Sequence, residues 1–544
     1  MARTGARSSA IMAAGTMVSR LLGFVKTMLL AIAIGASTTA GNVFALANTL
    51  PNLIYVLVAA GVFNAVLVPQ IIKASKKPDG GADYISRLLS LAVIGLFVIT
   101  AIVVLCARPI ITVMANGWSP EKIDFGTTFA LWCFPQIFFY GLYTVVGQIL
   151  NARGAFGAYM WAPVLNNLVA IVSLLVFIFM FGSWGTAHHD PSNWNAHKTF
   201  WLAGMATIGV AAQALILFIP LKALKLGLGI KLGWRGIGLG TAARIGSWTL
   251  ATGVVANLSF LFLARIATKP EGAQQDFSHP IAGNNVLDQS TMLYQLPHGV
   301  IGLSIATVLF NQMSRFADEN DDASLVQTLS RGLRVASVAT IFCAVALVVY
   351  AGPVGMLFGG GDPAQGAVIG QVISIIALGG PFLTIAFMMG RAFYAHEDAK
   401  TPMINQAISA VIVIVLGFAV GKLPPQYIVF CLAALYALQN ILATLLFHRG
   451  LRRWLGDYDL GSIVKTHLRV TISAIVAGVV GFVVLHLMGG AALDGFAWRN
   501  QITALVTILI GGLIMGAVYF CALRVFRVRE LDSMLKLLMS RLGR

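Results

Sequence analysis

Charge is scarce in this sequence. Asp, Glu, Lys and Arg make up 10% of its 544 residues, against roughly 25% in an average soluble domain. Acids are scarcer than bases, 20 against 37. With so few solvated groups and 58% hydrophobic residues, most of the chain has lipid as its solvent. A mean hydropathy of +0.84 agrees. Cysteine is also rare: Cys106, Cys133, Cys343, Cys431 and Cys521 lie singly in apolar stretches. Their spacing excludes a disulfide framework or a cysteine metal site, and they read as small core hydrophobes. No long hydrophilic stretch interrupts the chain to form a separate soluble enzyme. Nearly all acids fall in loops, as Asp318, Glu319, Asp321 and Asp322 do. That counts against an intramembrane transferase, which needs a buried carboxylate or metal cluster.

What the sequence does have is apolar runs long enough to cross a bilayer. Fourteen spans are expected, at 8–36, 43–72, 88–113, 125–150, 161–182, 199–221, 239–264, 285–313, 333–352, 366–394, 403–421, 426–448, 466–489 and 501–523. The first is too long for the apolar core of a signal peptide and lacks a cleavage signature, so it reads as a helix. With the N-terminus inside, the outer side holds only Arg108, Lys122, Lys198, Arg265, Lys269, Lys422 and Arg499. Nearly all other bases fall in the alternate loops and both tails. This bias predicts an even number of helices with both termini cytoplasmic. The net charge of +17 is then a topology signal and implies no nucleic-acid partner.

The larger outer loops, near 183–198 and 265–284, carry Gly, Pro, Asn and His and read as exposed connectors. His188, His189, Asp190 and His197 lack metal-ligand spacing on a helix and read as solvated, so no metal is expected. The inner segment 222–244, with Lys222, Lys225, Lys231 and Arg235 among glycines, reads as a basic interfacial linker between two halves.

Two internal echoes support that division. Leu50-Pro51 with Leu57, Ala60 and Val62 recurs at the same spacing as Leu296-Pro297 with Leu303, Ala306 and Val308. Pro135 and Pro163 bracket a helix much as Pro381 and Pro402 do, with a gap that differs by several residues. The expected fold is an all-α integral membrane protein of about fourteen transmembrane helices. Two pseudo-symmetric six-helix lobes, 1–222 and 223–448, flank a cavity, and 449–544 adds two C-terminal helices and a basic cytoplasmic tail.

Ionisable groups inside a span are the first candidates for function, because an Arg or Lys near a helix centre costs about 3 kcal/mol to insert. Arg20 and Lys26, both in the first span, qualify. Six residues of helix separate them by about 120° and about 9 Å along the axis. Long side chains at those positions either converge on an anion such as a diphosphate, Arg as a fork and Lys as a point charge, or snorkel to the interface. Gly23 between them, and Pro51 and Pro297 within apolar runs, are the candidate bending points. Asn52, Gln295 and His298 are uncharged groups suited to a sugar or peptide, or to pairing with a neighbouring helix.

Several stretches resemble the MurJ (MviN) lipid II flippase family. They are Ser19-Arg20-Leu21-Leu22-Gly23-Phe24, Leu50-Pro51-Asn52-Leu53, Gly147 to Asn151 followed by Pro163-Val164-Leu165-Asn166-Asn167, and Phe393-Tyr394-Ala395 with Asp398, Thr401 and Pro402. They run in order from the first helix to the eleventh, and their wording is similar to that of actinobacterial members. The resemblance implies the multidrug/oligosaccharidyl-lipid/polysaccharide (MOP) exporter fold, with the last two helices forming a groove for a polyprenyl tail. It implies a transporter rather than an enzyme, carrying lipid II to the outer leaflet by alternating access. The drive would be membrane potential or an ion gradient, Na+ or H+, with no other cofactor. Membrane lipids and proteins of cell-wall synthesis and division would be its partners. The carry-over is incomplete. Arg20 matches a cationic position and Lys26 replaces an Arg, but Thr27 and Asn42 stand where acids are common. Tyr55 and Val56 stand for a pair of Arg, and Met292 and Gln295 for an Arg and a Glu. Another MOP exporter, for polysaccharide repeats or cationic drugs, and a non-transporting scaffold for wall synthesis remain alternatives. A scaffold has no need of buried cations, and a drug antiporter would keep a buried acid.

Overall fold

Helix lets a lipid-embedded backbone satisfy its N–H and C=O groups within one segment, and among the described residues the chain is helix and turn with no strand. The computed structural model describes all residues except 1, 58–70, 72–73, 75–78, 80, 186–193, 234–238, 491 and 532–544, and all side chains of the described residues except 2–13, 156, 239–247, 249–250 and 275. By contact the chain divides into two units, Met1–Ala273 and Gln274–Arg544.

The first unit contains α1 (Ala2–Ile34), α2 (Thr39–Tyr55), α3 (Ala82–Leu105), α4 (Ala107–Met114), α5 (Pro120–Cys133), α6 (Gln136–Ala152), α7 (Phe156–Phe181), α8 (Met205–Leu215) and α9 (Leu239–Ala267). The second contains α10 (Asn284–Pro297), α11 (Leu303–Asp318), α12 (Asp322–Val349), α13 (Ala351–Phe358), α14 (Pro363–Ala377), α15 (Gly380–Ala395), α16 (Lys400–Val420), α17 (Pro425–Leu455), α18 (Leu460–Leu487) and α19 (Gln501–Val525). Shorter helical turns connect some of them. Among the described residues, 13 helical segments are long and apolar enough to cross a membrane, and each overlaps an expected span. The expected span 43–72 is described only in part, through α2.

Local chemistry explains where the helices begin. Asp321 accepts from the Ser324 N–H at 3.0 Å to cap α12, and Pro363 and Pro425 occupy first-turn positions of α14 and α17, where no N–H is needed. Asn500 and Thr503 form a reciprocal capping box at the start of α19, at 2.9 and 3.1 Å. Outward faces are apolar: Phe179, Val479, Phe482 and Leu513 are exposed, as a lipid-facing surface requires. Inside each unit, small residues bring backbones together. A Cβ on Gly355 of α13 would run into the Gly366 carbonyl of α14, so only glycine permits that approach.

Two connectors are held by specific contacts. The 265–284 segment is an exposed connector only in part: Asp276, Ser278 and His279 are exposed, but Ala267, Thr268, Pro270, Glu271, Ile281 and Ala282 are buried. The Thr268 hydroxyl donates to the Met114 carbonyl at 2.8 Å and the Trp118 indole donates to the Thr268 carbonyl at 2.9 Å, so this chain segment substitutes for water around the end of α4. The 222–244 linker is tied down over its described part. The Gly229 N–H donates to the Ser86 hydroxyl at 3.2 Å, the Lys231 N–H to Ser90 at 3.0 Å, and Lys231 Nζ to Asp83 at 2.8 Å, all along α3. His188, His189 and Asp190, and Ala60 and Val62 of the repeat, lie outside the described residues.

Candidate functional site

α1 packs along α7, and this pairing sets the surroundings of the two cations. The Asn167 amide of α7 donates to the Ser19 carbonyl at 2.8 Å and to its hydroxyl at 3.1 Å, anchoring α1 next to Arg20. Lys26, half-buried, lines a cavity of about 80 Å³ within the first unit. Asn48, Gln136, Tyr140, Asn166 and Ser173 supply its polar wall, and Leu30, Phe44 and Leu174 part of its apolar one. These amides are already ordered. Gln136 Nε2 donates to Asn48 Oδ1 at 3.0 Å and to the Thr207 hydroxyl at 3.1 Å, Tyr140 donates to Gln136 Oε1 at 3.3 Å, and Asn166 donates to Gln213 Oε1 at 3.1 Å. A positive charge surrounded by fixed amides inside an apolar shell suits an anionic or strongly polar group. No hydroxyl or thiol nucleophile in it faces a histidine or carboxylate base. Among the described residues no three His, Cys, Asp or Glu side chains cluster as a metal site does.

The other expected residues of the first unit are placed as follows. Arg20 is half-buried and, among the described residues, makes no ion pair. Gly23 has open space where a Cβ would stand, and its carbonyl accepts from the Thr27 hydroxyl at 3.0 Å. Pro51 is buried inside α2 while Asn52 beside it is exposed. The backbone widens to π geometry at 56–57, directly after α2.

In the second unit Pro297 ends α10, and a π turn, His298–Gly302, leads into α11. Both repeat-related prolines therefore precede a widened turn, where the regular ladder is interrupted. His298 is half-buried; its Nδ1 lies 3.2 Å from the Thr384 hydroxyl of α15 and its ring stands edge-on to Phe387 at 5.0 Å. Pairing with a neighbouring helix is thus one role it does fill. Gln295 is exposed.

Sequence reasoning missed two acids. Glu271, in the turn Lys269–Gly272 after α9, is 1% exposed. Its carboxylate accepts from Thr39 Oγ1 at 2.6 Å, Asn42 Nδ2 at 2.8 Å and Lys122 Nζ at 3.0 Å. Asn42, which replaces a residue that is commonly acidic in the resembled family, thus contacts an acid supplied from elsewhere in the chain. Asp288 lies in α10, half-buried, and acts electrostatically on Tyr436 of α17. Its place in the polar first turns of a span was readable, whereas nothing local to Glu271 distinguishes it from a solvated loop acid.

Comparison with known proteins adds an independent line. The family model described as lipid II flippase MurJ matches residues 30–503. A probable lipid II flippase MurJ of Rhizobium meliloti (strain 1021) is 28% identical over 73% of this chain and 72% of its own. One from Buchnera aphidicola subsp. Acyrthosiphon pisum is 23% identical over 96% of this chain and 97% of its own. Among solved structures, a lipid II flippase MurJ in an inward closed conformation superposes with a TM-score of 0.68 at 19% identity, covering 95% of this chain and 99% of that one. An inward-facing MATE family transporter of the MOP superfamily gives 0.66 at 14% identity, covering 81% and 96%.

Proposed function

The chain belongs to the lipid II flippase MurJ family, and from that premise we propose that it carries lipid II from the cytoplasmic to the outer leaflet by alternating access. The observation that carries this reading is the extent of the family match, which runs from the end of α1 into the start of α19. The Lys26 cavity supports it, because a cation held among ordered amides favours an anionic headgroup over a cationic drug. Arg20, Lys26, Asn52, Gln295 and His298 are the proposed substrate-contacting residues. Gly23, Pro51 and Pro297 are the proposed bending points.

The reading extends to arrangement. The chain is a multi-pass membrane protein; family membership supports an inner-membrane location, and the bias of Lys and Arg supports cytoplasmic placement of both termini. The functional halves are 1–222 and 223–448, followed by 449–544. The drive is membrane potential or a Na+ or H+ gradient, and the chain transports without catalysing a reaction. Cell-wall synthesis and division proteins are proposed partners beside lipid II and membrane lipids. Orientation is tested by Ser192→Cys, which an impermeant thiol reagent should label from outside only; labelling from the cytoplasmic side alone would invert the topology.

The decisive experiment is depletion in the native cell with leaflet-resolved detection of lipid II. Lipid II should accumulate on the cytoplasmic leaflet and return to the outer one when the chain is restored. Unchanged externalisation during depletion would refute the reading.

A further inference from the structure

A second cavity, of about 640 Å³, lies wholly in the second unit between the α15–α16 connection and the last turns of α17. Its position joins two surfaces of different chemistry. On one side, Arg449 and Arg453 project from α17 into its lining. They are four residues apart and so share one helix face, both are exposed, and among the described residues neither makes an ion pair. Two like charges one turn apart repel each other unless an anion sits with them. On the other side, the exposed Ile404, Ile408, Val411 and Val415 of α16 form a stripe at helical spacing that runs from the cavity into the apolar face of the bundle. Ile404 and Ile408 line the cavity itself, together with Leu446 and Trp454.

Between the two surfaces stands an unused polar group. Asn405 lines the cavity and is 8% exposed. Its Nδ2 has no hydrogen-bond partner, a costly condition for a buried amide. The acid in the lining, Asp398, is occupied with its own backbone: Oδ1 accepts from the Lys400 and Thr401 N–H groups, both at 3.0 Å. His396 faces Asp322 at 3.5 Å and packs edge-on against Trp454 at 4.4 Å. The cavity thus presents two guanidinium groups outside any ion pair among the described residues, against the single carboxylate of Asp398, and an unsatisfied amide at the foot of an apolar track.

We propose that this cavity binds an anionic phospholipid, its phosphate held by Arg449 and Arg453 with Asn405 completing the polar contact, and its acyl chains lying along Ile404, Ile408, Val411 and Val415. Guanidinium groups match phosphate oxygens as paired donors. An anionic amphiphile satisfies both surfaces at once, which a soluble anion or a neutral lipid does not. The occupied leaflet is the one at the basic end of the bundle, the cytoplasmic one under the proposed orientation, where anionic lipid and basic side chains attract each other. The site is separate from the Lys26 cavity and is independent of which cargo the protein moves.

The test uses the full chain, purified in a neutral detergent and titrated with phosphatidylglycerol, phosphatidylcholine or inorganic phosphate, with retained lipid counted by native mass spectrometry. Arg449→Gln/Arg453→Gln should weaken phosphatidylglycerol binding by about tenfold or more. Arg449→Lys/Arg453→Lys should keep most of it. Asn405→Leu should weaken it less than the double Gln variant does. Because both arginines are exposed, the Gln variant should keep the wild-type melting temperature in lipid-free detergent. Equal retention of phosphatidylglycerol by the wild type and the double Gln variant would overturn the site. Phosphatidylcholine retained as tightly as phosphatidylglycerol would overturn its preference for an anionic headgroup. Inorganic phosphate displacing bound phosphatidylglycerol at equal concentration would overturn the role of the apolar track.

Discussion

Lys122 Nζ lies 3.0 Å from Glu271 Oε1 and also donates to the Glu271 main-chain carbonyl at 2.8 Å, joining the start of α5 to the turn that follows α9. The Glu271 side chain is fully buried and that of Lys122 nearly so. Removing one partner of such a pair strands a charge, at a cost of about 3 kcal/mol or more, whereas removing both leaves none to strand. Glu271→Ala and Lys122→Ala should each lower the melting temperature of the purified protein markedly. The double variant should lose clearly less than the sum of the two. Strict additivity in that cycle would show that the two groups do not act on each other.

Lys26 separates an electrostatic role from a snorkelling one. The polar wall of its cavity includes amides held by their own hydrogen bonds, and no other Lys or Arg lines that cavity, so a lost charge has no replacement there. Lys26→Arg should rescue growth of a depletion strain, and Lys26→Gln should not, at matched protein levels. Full rescue by Gln would remove the charge at this position from the mechanism, because a cation that merely reaches the interface is replaced by Gln with relief of its burial cost.

Arg20 should behave as a functional rather than a packing residue. It is half-buried with no ion partner among the described residues, so Arg20→Ala breaks no salt bridge and should insert and accumulate normally. Loss of lipid II externalisation with wild-type abundance is the expected result. Normal complementation by a well-expressed Arg20→Ala chain would exclude Arg20 from the site.

Asp459 gives the second unit a dependence on acid. Burial pushes its carboxyl up, but hydrogen bonds from Ser330 and Ser462 and the Arg334 guanidinium outweigh that and hold it below the usual carboxylate value. Arg334 lies 2.9 Å from it. A folded value below the unfolded one means that this stability is complete above the unfolded value and is lost as pH falls through the folded one, from about pH 5 downward. Asp459 sits at a left-handed φ of 64°, which Asn tolerates well. Asp459→Asn should therefore cost about 1 kcal/mol at most at neutral pH, the carboxylate being well exposed. Its melting temperature should converge with that of the wild type in acid. A gap that persists undiminished at low pH would rule out the charge as its source.

By itself the sequence determined the class, the helices and the family. A span is a property of contiguous residues: enough apolar side chains at 1.5 Å of rise each cross a bilayer whatever else the chain does, and 13 such helices stand where apolar runs predict them. The family was legible in short motifs around Arg20, Pro51, Pro163 and Phe393, because each is itself local. Tertiary structure alone decided which polar groups are buried and with whom. Glu271 reads as a loop acid until Thr39, Asn42 and Lys122, between 149 and 232 residues away, close around it. Lys26 reads in sequence as an anion-binding or a snorkelling cation, and only packing brings Gln136 and Asn166 to line a cavity with it. Asn405 reads as an ordinary helix residue until α17 brings Arg449 and Arg453 to line the same cavity. Burial and pairing set the energy of a polar group in lipid, and both depend on neighbours supplied by packing rather than by adjacency in the chain.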